Sequence, residues 1–96
     1  MFVLITYDIN TESDGGARRL RKIAKTCQNH GQRVQNSVFE CVITPAELVL
    51  LKNKIFAIMD KEKDSIRFYL LGKNTTDKVE HYGVALAYEH DGPIIL

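Results

Sequence analysis

Met1-Phe2-Val3-Leu4-Ile5-Thr6-Tyr7-Asp8-Ile9 is the stretch from which the fold follows, because it predicts a buried strand that the later elements must cover. Its β-branched and large apolar side chains are typical of strands in a protein core. A polar loop, Asn10 to Gly16, comes next, so Asp8 lies where a core strand reaches the surface. A carboxylate held there suits a metal ligand or a general base. The alternative is structural, because a strand-end Asp also hydrogen-bonds to loop amides.

Length and composition indicate a single small domain. The chain has 96 residues, of which 45% are hydrophobic, as in ordinary globular proteins. It has no apolar run of membrane-spanning length and no basic segment ahead of the first strand, so we expect a cytoplasmic protein without a membrane partner. Cys27 and Cys41 are expected to be reduced core residues, because no Cys or His pair has zinc-site spacing.

The charge distribution is more informative than the net charge of +1. No acidic residue occurs between Gly15 and Phe39, whereas the remainder of the chain has more acids than bases. One-sided basic charge is the pattern expected for a surface that contacts phosphate backbones. A solvated helix face is the alternative, although such a face usually mixes signs for i, i+4 pairing. The basic residues of this segment are Arg18, Arg19, Arg21, Lys22, Lys25 and Arg33.

Residues 2 to 8 are predicted to form the first strand, and a helix is predicted to begin with Ser13 or Asp14 as its N-cap. Gly15-Gly16 either loosens the helix entry or lets a phosphate approach the helix N-terminus. Asn29-His30-Gly31 ends the helix. An apolar stripe at helical spacing is expected to face the core, with most basic residues opposite and Arg19 on the flank. The stripe is formed by Leu20, Ile23, Ala24 and Cys27.

Gln32 to Ile43 is predicted to be extended, either as two short strands or as one bent strand. Its apolar phase shifts at Asn36-Ser37, which indicates a bulge or a tight reversal. A second helix follows, with Thr44 as N-cap and Glu47 completing a capping box. The charged run Asp60 to Asp64 is expected to be a solvated turn. The predicted core face of the helix is Leu48, Leu51, Ile55, Ile58 and Met59, and the next strand is Ile66 to Leu71, closed by Gly72.

This order of elements predicts a ferredoxin-like βαββαβ sandwich of the α+β class, with two helices on one face of an antiparallel sheet. Lys73 to Asp77 is a polar loop, and Val79 to Tyr88 contains another extended stretch. The chain ends in apolar residues, Pro93 to Leu96, which favours a strand added to a sheet edge. That edge is its own or a partner's. We favour the partner's, and therefore a homodimer in which residues 78–96, approximately, are exchanged from a single domain spanning 1–96.

Further candidate side chains are distributed along the chain. Tyr7 points to the opposite face of its strand and is expected to pack in the core or an interface. Phe39 is expected in the core, and Ser37 is either a turn former or a phosphate donor. Arg33 either joins the basic surface or pairs with Glu40. The histidines His30, His81 and His90 are isolated and are expected in surface or capping roles.

A phosphodiester substrate would require charge neutralisation and an activated water, which a divalent ion held by a carboxylate supplies. Mg²⁺ keeps several of its waters, so that one or two carboxylates suffice to hold it. A two-fold axis near the ends of the first strands would bring two copies of Asp8 together.

Three segments resemble the family of CRISPR-associated protein two, the small companion of the spacer integrase in prokaryotic adaptive immunity. Two of the segments are Leu4 to Ile9 and Gly15 to Lys22. The third, Gly31-Gln32-Arg33-Val34-Gln35-Asn36-Ser37-Val38-Phe39-Glu40, is highly specific. Ile66 to Leu71 followed by Lys78-Val79-Glu80-His81 is similar to the subtype one-C form. The resemblance covers essentially the whole chain.

The resemblance implies a ferredoxin-like homodimer whose C-terminal strand joins the partner's sheet. It also implies that Asp8 is the metal-binding and catalytic aspartate, with the two copies facing each other and Mg²⁺ or Mn²⁺ as cofactor. The family is described as metal-dependent endonucleases acting on double-stranded DNA or single-stranded RNA. The residues implied to lie on a nucleic-acid backbone are Arg18, Arg19, Arg21, Lys22 and Arg33, with Tyr7, Ser37 and Phe39 in support.

A bridging role is also implied, in which the dimer sits between two dimers of the integrase, CRISPR-associated protein one, along duplex DNA. Two alternatives stay open. One is a non-catalytic nucleic-acid-binding scaffold, and the other is a stand-alone toxin-like endoribonuclease. A small-molecule regulatory domain would need neither the basic helix nor the strand-end Asp. An RNA-binding module that stacks bases on sheet aromatics would need a glycine-aromatic strand motif, for which Phe68-Tyr69 is a poor substitute.

Overall fold

The computed structural model describes residues 1–72 and 78–84 as one antiparallel sheet with two helices. In chain order, the elements are β1 (Phe2–Asp8), α1 (Gly16–Gln28), β2 (Gln32–Gln35), β3 (Val38–Val42), α2 (Pro45–Ile58), β4 (Ser65–Leu71) and β5 (Lys78–Gly83). The strand order is β2-β3-β1-β4-β5, which is the ferredoxin-like arrangement with β5 added beside β4. The sequence-based fold class is thereby confirmed.

The first strand is the middle of the sheet and has the bounds predicted for it. It pairs with β3 on one side and with β4 on the other. Its alternate side chains Val3, Ile5 and Tyr7 are buried in the core beneath the helices, as the two-residue period of a strand requires. Asp8 is exposed at its end, directly opposite Ser65 of β4. The strand that organises the core therefore also presents the carboxylate.

The start of α1 differs from the prediction. The helix begins at Gly16 with Gly15 as N-cap, so that neither Ser13 nor Asp14 caps it. Instead the Ser13 hydroxyl donates to the Asn10 carbonyl at 2.7 Å, which keeps it within the loop. A Cβ on Gly16 would lie 2.1 Å from that same carbonyl, so only glycine allows this close approach. The apolar stripe is confirmed, because Ile23 and Cys27 are buried against the sheet.

The segment after α1 forms two strands rather than one bent strand. The strands β2 and β3 form a hairpin around Asn36-Ser37, and the register shifts between Arg33 and Gln35. The reversal lies at Asn36-Ser37, where the apolar phase shifts in the sequence, and the register irregularity lies just before it in β2. The hairpin places β2 at an edge of the sheet, beside α1.

The second helix has the capping box predicted for it, in which the Glu47 amide donates to the Thr44 hydroxyl at 3.1 Å and the Thr44 amide donates to the Glu47 carboxylate at 3.0 Å. These hydrogen bonds lower the pKa of Glu47. The expectation of a fully solvated turn at Asp60 to Asp64 is wrong at its last residue, because Asp64 is 0% exposed. A charge run by itself does not reveal that one member has partners distant in sequence.

The last described strand, β5, pairs with β4 of the same chain and ends at Gly83. The predicted loop Lys73 to Asp77 lies outside the described residues, as does the chain beyond Val84, which includes most of the segment expected to exchange in a dimer. Exchange therefore stays a prediction. Within 1–72 and 78–84, no helix combines the length and apolarity that crossing a membrane requires.

Both cysteines are free, buried thiols, as expected. Burial, reinforced by the neighbouring Cys41, raises the pKa of the Cys27 thiol to about 12. A thiol with so high a pKa is a poor nucleophile at neutral pH, so Cys27 acts as a core residue.

Candidate functional site

Asp8 lines two hollows at the end of β1. The first, which we call the sheet hollow, has a volume of about 220 Å³. The second, which we call the loop hollow, has a volume of about 360 Å³. The sheet hollow is lined by Thr6, Tyr7, Asp8, Ser37, Val38, Ser65, Arg67 and Tyr69. The loop hollow is lined by Asp8, Ile9, Asn10, Thr11, Glu12, Lys63, Ser65 and Val84.

The donors around Asp8 are oxygen atoms of carboxylates, hydroxyls and an amide. Such hard donors fit Mg²⁺ or Mn²⁺ and do not suit zinc, which prefers nitrogen and sulfur. Across the described part of the chain, however, no three His, Cys, Asp or Glu side chains group together as a metal site. Asp8 is the exposed carboxylate that lines both hollows, and Glu12 is a second exposed carboxylate that lines the loop hollow.

A third depression, which we call the basic groove, runs between α1 and the β2–β3 hairpin. Its volume is about 400 Å³, and Arg21 and Arg33 both line it. It has Tyr7 and Ser37 in common with the sheet hollow, but it lies on the helix-covered face of the sheet, whereas the Asp8 side chain lies on the opposite face. The fold thus brings two arginines of the basic segment together beside Tyr7 and Ser37, near the end of β1. The groove is lined by Tyr7, Leu20, Arg21, Ala24, Arg33, Asn36 and Ser37.

An aromatic pair supports the groove from below. The rings of Tyr7 and Phe39 stack with centroids 6.1 Å apart, and the Arg33 guanidinium carbon lies 5.2 Å from the centroid of Phe39. The Tyr7 hydroxyl donates to the Asn36 carbonyl at 3.2 Å, which ties the hairpin turn to β1. Arg33 therefore rests on Phe39. No ion pair joins Arg33 to Glu40 among the described residues.

Tyr7 is a structural support in this arrangement. Burial raises its pKa, so the phenol stays protonated at neutral pH. The predicted core positions of Tyr7 and Phe39 are both confirmed, since both are buried. Ser37 lies in the hairpin turn, where its carbonyl accepts a hydrogen bond from the Tyr7 amide at 3.1 Å. It also lines both the sheet hollow and the basic groove.

The other residues of the basic segment divide into two groups. Arg18 and Lys22 are exposed on α1, like Arg21 and Lys25. Arg19 instead turns toward the sheet, where its Nε donates to the Asp64 carboxylate at 2.8 Å. Its guanidinium is therefore engaged within the protein, in contrast to the exposed cations beside it.

Three side chains of β4 belong to the site although sequence reasoning did not select them. Ser65, Arg67 and Tyr69 alternate along the strand, share the face of Asp8 and line the sheet hollow. Arg67 Nη1 donates to the Tyr69 hydroxyl at 3.3 Å. Next to them, Nε2 of His81 lies 3.1 Å from the Ser65 hydroxyl and 2.9 Å from the Val84 carbonyl. A polar residue at every second position of an apolar strand was the signal that could have revealed them.

Comparison with known proteins places this geometry in a family. The family model of the CRISPR associated protein Cas2 matches residues 1–79. The CRISPR-associated endoribonuclease Cas2 of Nitratidesulfovibrio vulgaris is 58% identical over 96 residues, covering 100% of this chain and 94% of that protein. The CRISPR-associated endonuclease Cas2 of Halalkalibacterium halodurans is 54% identical, covering 99% of each chain.

Solved structures agree in fold. The crystal structure of Streptococcus pyogenes Cas2 at pH 6.5 superposes with a TM-score of 0.70 and 62% identity, over 77% of this chain and 89% of that one. A hypothetical protein of Thermus thermophilus, TT1823, superposes with a TM-score of 0.63 and 28% identity, over 80% of this chain and 96% of that one. With a family model matching most of its length and relatives more than half identical over nearly all of it, this chain belongs to the CRISPR-associated Cas2 family.

Proposed function

We propose that this chain is a divalent-metal-dependent endonuclease that hydrolyses phosphodiester bonds of nucleic acid and acts in CRISPR adaptation. The observation that carries the proposal is the position of Asp8. It is an exposed carboxylate at the end of a core strand, and the hollow it lines has Tyr7 and Ser37 in common with a groove lined by two arginines. The names of the relatives, endoribonuclease and endonuclease, support the same chemistry.

Asp8 is the residue that would hold the cation in each protomer. When bound, Mg²⁺ or Mn²⁺ neutralises phosphate charge and lowers the pKa of a coordinated water, which makes that water a better nucleophile. Because the described residues of one protomer bring no three such ligands together, we propose a homodimer in which the two Asp8 residues face each other. The expected exchange of the C-terminal segment provides the contact that would hold the two protomers together.

The basic groove would orient the substrate backbone. Arg21 and Arg33 line it, and the contact of the Arg33 guanidinium with the Phe39 ring would hold that guanidinium in the groove. Arg18 and Lys22 extend the positive surface along α1. We assign Arg19 to internal structure rather than to phosphate binding, because Asp64 already occupies its guanidinium.

The proposed substrate class comes from the names of the relatives, one of which is called an endoribonuclease and another an endonuclease. We therefore propose activity on double-stranded DNA, single-stranded RNA or both. The bridging of integrase dimers along duplex DNA is part of the same proposal. It requires the dimer and the basic surface, and it does not require cleavage.

A second candidate function is a scaffold that binds nucleic acid without cutting it. The observation that favours it is the incomplete ligand set around Asp8 in the described part of one protomer. The two functions differ in their need for metal, because the scaffold would bind equally well without it. The stand-alone toxin-like ribonuclease differs instead in needing no integrase partner.

Removing divalent metal tests the enzyme directly. We expect protein dialysed against EDTA to lose cleavage of end-labelled DNA and RNA, and to regain it when Mg²⁺ or Mn²⁺ is restored, while Ca²⁺ restores much less. The physical reason is that hydrolysis needs both an activated water and charge neutralisation at the phosphate, and a divalent ion held at Asp8 would supply both. Cleavage that persists in EDTA would contradict the proposal. So would cleavage activity that elutes from a column separately from this protein, with a contaminating nuclease.

The basic groove predicts a salt-dependent affinity for nucleic acid. Removal of one phosphate-binding side chain should lower the slope of log affinity against log salt by about 1, so Arg21→Ala and Arg33→Ala should each weaken binding uniformly across sequences. Lys54→Ala, which removes an exposed charge on α2 outside the groove, is the matched control. Fluorescence anisotropy from low to physiological salt measures the slopes. Equal slopes for the parent and both groove variants would refute this surface.

A further inference from the structure

Asp64 is a buried acceptor on which several parts of the chain converge. Its carboxylate receives the Arg19 Nε at 2.8 Å and the Arg19 Nη2 at 3.2 Å. It also receives the Asn10 amide at 3.0 Å and the Asp60 amide at 2.9 Å. The carboxylate is thus satisfied by four hydrogen bonds, two of them from a guanidinium fork, which is the geometry of a strong charge-assisted pair.

The electrostatics of the pair agree with its geometry. Burial by itself would raise the pKa of Asp64, but the hydrogen bonds from Arg19 and from the Asp60 and Asn10 amides outweigh burial and keep this pKa below its ordinary value. The carboxylate is therefore ionised wherever the protein is folded at neutral pH. Replacing one of its two oxygens by an amide nitrogen would leave two of the four donors without their acceptor.

Arg19 also hydrogen-bonds to the loop that follows β1. Besides Asp64, it donates from Nη1 to the Asp14 carbonyl at 2.9 Å and from Nη2 to the Ser13 hydroxyl at 2.8 Å. The loop that lines one side of Asp8 is therefore held at Asn10, Ser13 and Asp14 by a single ion pair. We call Arg19 and Asp64 together the clamp.

The main chain of Asp64 is held as firmly as its side chain. Its carbonyl accepts the Val84 amide at 2.9 Å, and its amide donates to the Asp60 carbonyl at 2.8 Å. Gly83, with φ of +97°, brings β5 so close that a Cβ there would lie 2.0 Å from the Asp64 carbonyl oxygen. Two loops and the end of β5 consequently meet at this one residue.

The clamp brackets Asp8 on two sides. Along the chain, Asn10 is two residues after Asp8 and is bound by the Asp64 carboxylate. Across the sheet, the neighbour of Asp8 is Ser65, which directly follows Asp64. Both loop and cross-strand neighbours of Asp8 also line the loop hollow. If the clamp loosened, the backbone at Asn10 and Ser65 would be free to shift, and the Asp8 carboxylate would shift with it.

We propose that Asp64 is a positioning residue for Asp8, and that the Arg19–Asp64 clamp holds the strand end in the geometry that metal binding and hydrolysis require. This inference rests on the proposed nuclease function. The Arg19–Asp64 ion pair would then affect the rate of hydrolysis through the position of Asp8, without contacting the substrate. Small displacements of a reacting group cost large factors in rate, because catalysis depends on near-attack geometry.

The test compares Asp64→Asn with Glu80→Gln at temperatures well below both unfolding midpoints. Glu80 forms a different, largely buried ion pair with Lys52, whose Nζ lies 5.5 Å from the Phe68 ring centroid, away from Asp8. Each substitution replaces a carboxylate by its neutral isostere and should lower Tm. Only Asp64→Asn should lower kcat, by about tenfold or more, with KM within about twofold of the parent.

A readout independent of activity accompanies the kinetics. Amide hydrogen exchange should accelerate at Asn10 in Asp64→Asn and stay unchanged there in Glu80→Gln. Broadening of the Asp8 resonances by Mn²⁺ should require more Mn²⁺ in Asp64→Asn than in the parent. Arg19→Lys, which keeps the charge but loses the fork, should give the same changes to a smaller extent and serves if Asp64→Asn does not fold.

The outcomes separate the clamp from the proposed function. Equal kcat losses in Asp64→Asn and Glu80→Gln, or unchanged exchange at Asn10, would overturn the positioning role while leaving nuclease activity intact. A parent without metal-dependent cleavage would overturn the nuclease instead. In that case, exchange at Asn10 and Mn²⁺ broadening at Asp8 still decide whether the clamp fixes the strand end.

Discussion

Replacing Asp8 with Asn is expected to lower Mg²⁺-dependent cleavage by about 100-fold or more, the loss typical when one charged group that stabilises the transition state is removed. Asn keeps the size of the side chain and removes the charge that attracts a divalent ion. Asp8 is exposed at the strand end, outside the core, so Tm should change little. Single-turnover cleavage of a labelled substrate at saturating protein measures the loss.

Binding should survive this substitution, which separates it from damage to the fold. The arginines of the basic groove are untouched, so the affinity for the same nucleic acid should stay within about twofold or rise, since a negative charge near phosphates is gone. Asp14→Asn, the same charge change at an exposed position of the neighbouring loop, is the matched control and should retain parental cleavage. Undiminished cleavage by Asp8→Asn, with parental purity, would show that the activity lies elsewhere.

Replacing Phe39 with Ala is expected to cost about 3–5 kcal/mol of unfolding free energy, the usual range for deleting a buried aromatic ring. Phe39 is 0% exposed, stacks on Tyr7 and supports Arg33 from beneath. The cavity left behind would lie in the core on the helix-covered face of the sheet, beside Tyr7 and Arg33. Urea unfolding followed by circular dichroism measures the loss, and a marginally stable domain would unfold largely at physiological temperature.

Two further variants identify which property of Phe39 matters. Phe39→Leu retains most of the volume and should cost less than about 1.5 kcal/mol, although the platform for the Arg33 guanidinium disappears. Its affinity for nucleic acid should therefore fall more than its stability suggests. Val42→Ala, on the same strand but 79% exposed, should change stability by less than about 0.5 kcal/mol. A cost for Phe39→Ala as small as that of Val42→Ala would refute the packing described.

Local sequence signals predicted most of the fold. The capping box at Thr44 and Glu47 and the apolar stripe on α1 are both patterns within a few residues, and both are confirmed. The helix start at Gly16 was mispredicted because Ser13 has the chemistry of a cap but uses its hydroxyl within the loop. Propensity identifies residues able to cap a helix, and tertiary packing decides which of them does.

The site was only partly predictable for the same reason. The exposed strand-end position of Asp8 follows from alternation along one strand, and the grouping of Arg21 with Arg33 follows from the order of the elements. The commitment of Arg19 to Asp64 joins residues 45 positions apart, and no local pattern encodes such a pair. The sequence shows that both are charged, whereas only packing shows that each satisfies the other.

The distances along the chain that the clamp spans have a consequence for biosynthesis. Asp8 leaves the ribosome well before Asp64, because the hydrogen bond from Asn10 to Asp64 joins positions 54 apart, and the Asp64 carbonyl accepts its hydrogen bond from Val84, which is made later still. A nascent chain can therefore form β1 and α1 long before it can fix the end of β1. The Asp8 carboxylate is therefore synthesised before the contacts that fix its position, which are complete only once β5 and Val84 have been made. Truncated or stalled translation products would accordingly contain Asp8 without the arrangement that holds it in place.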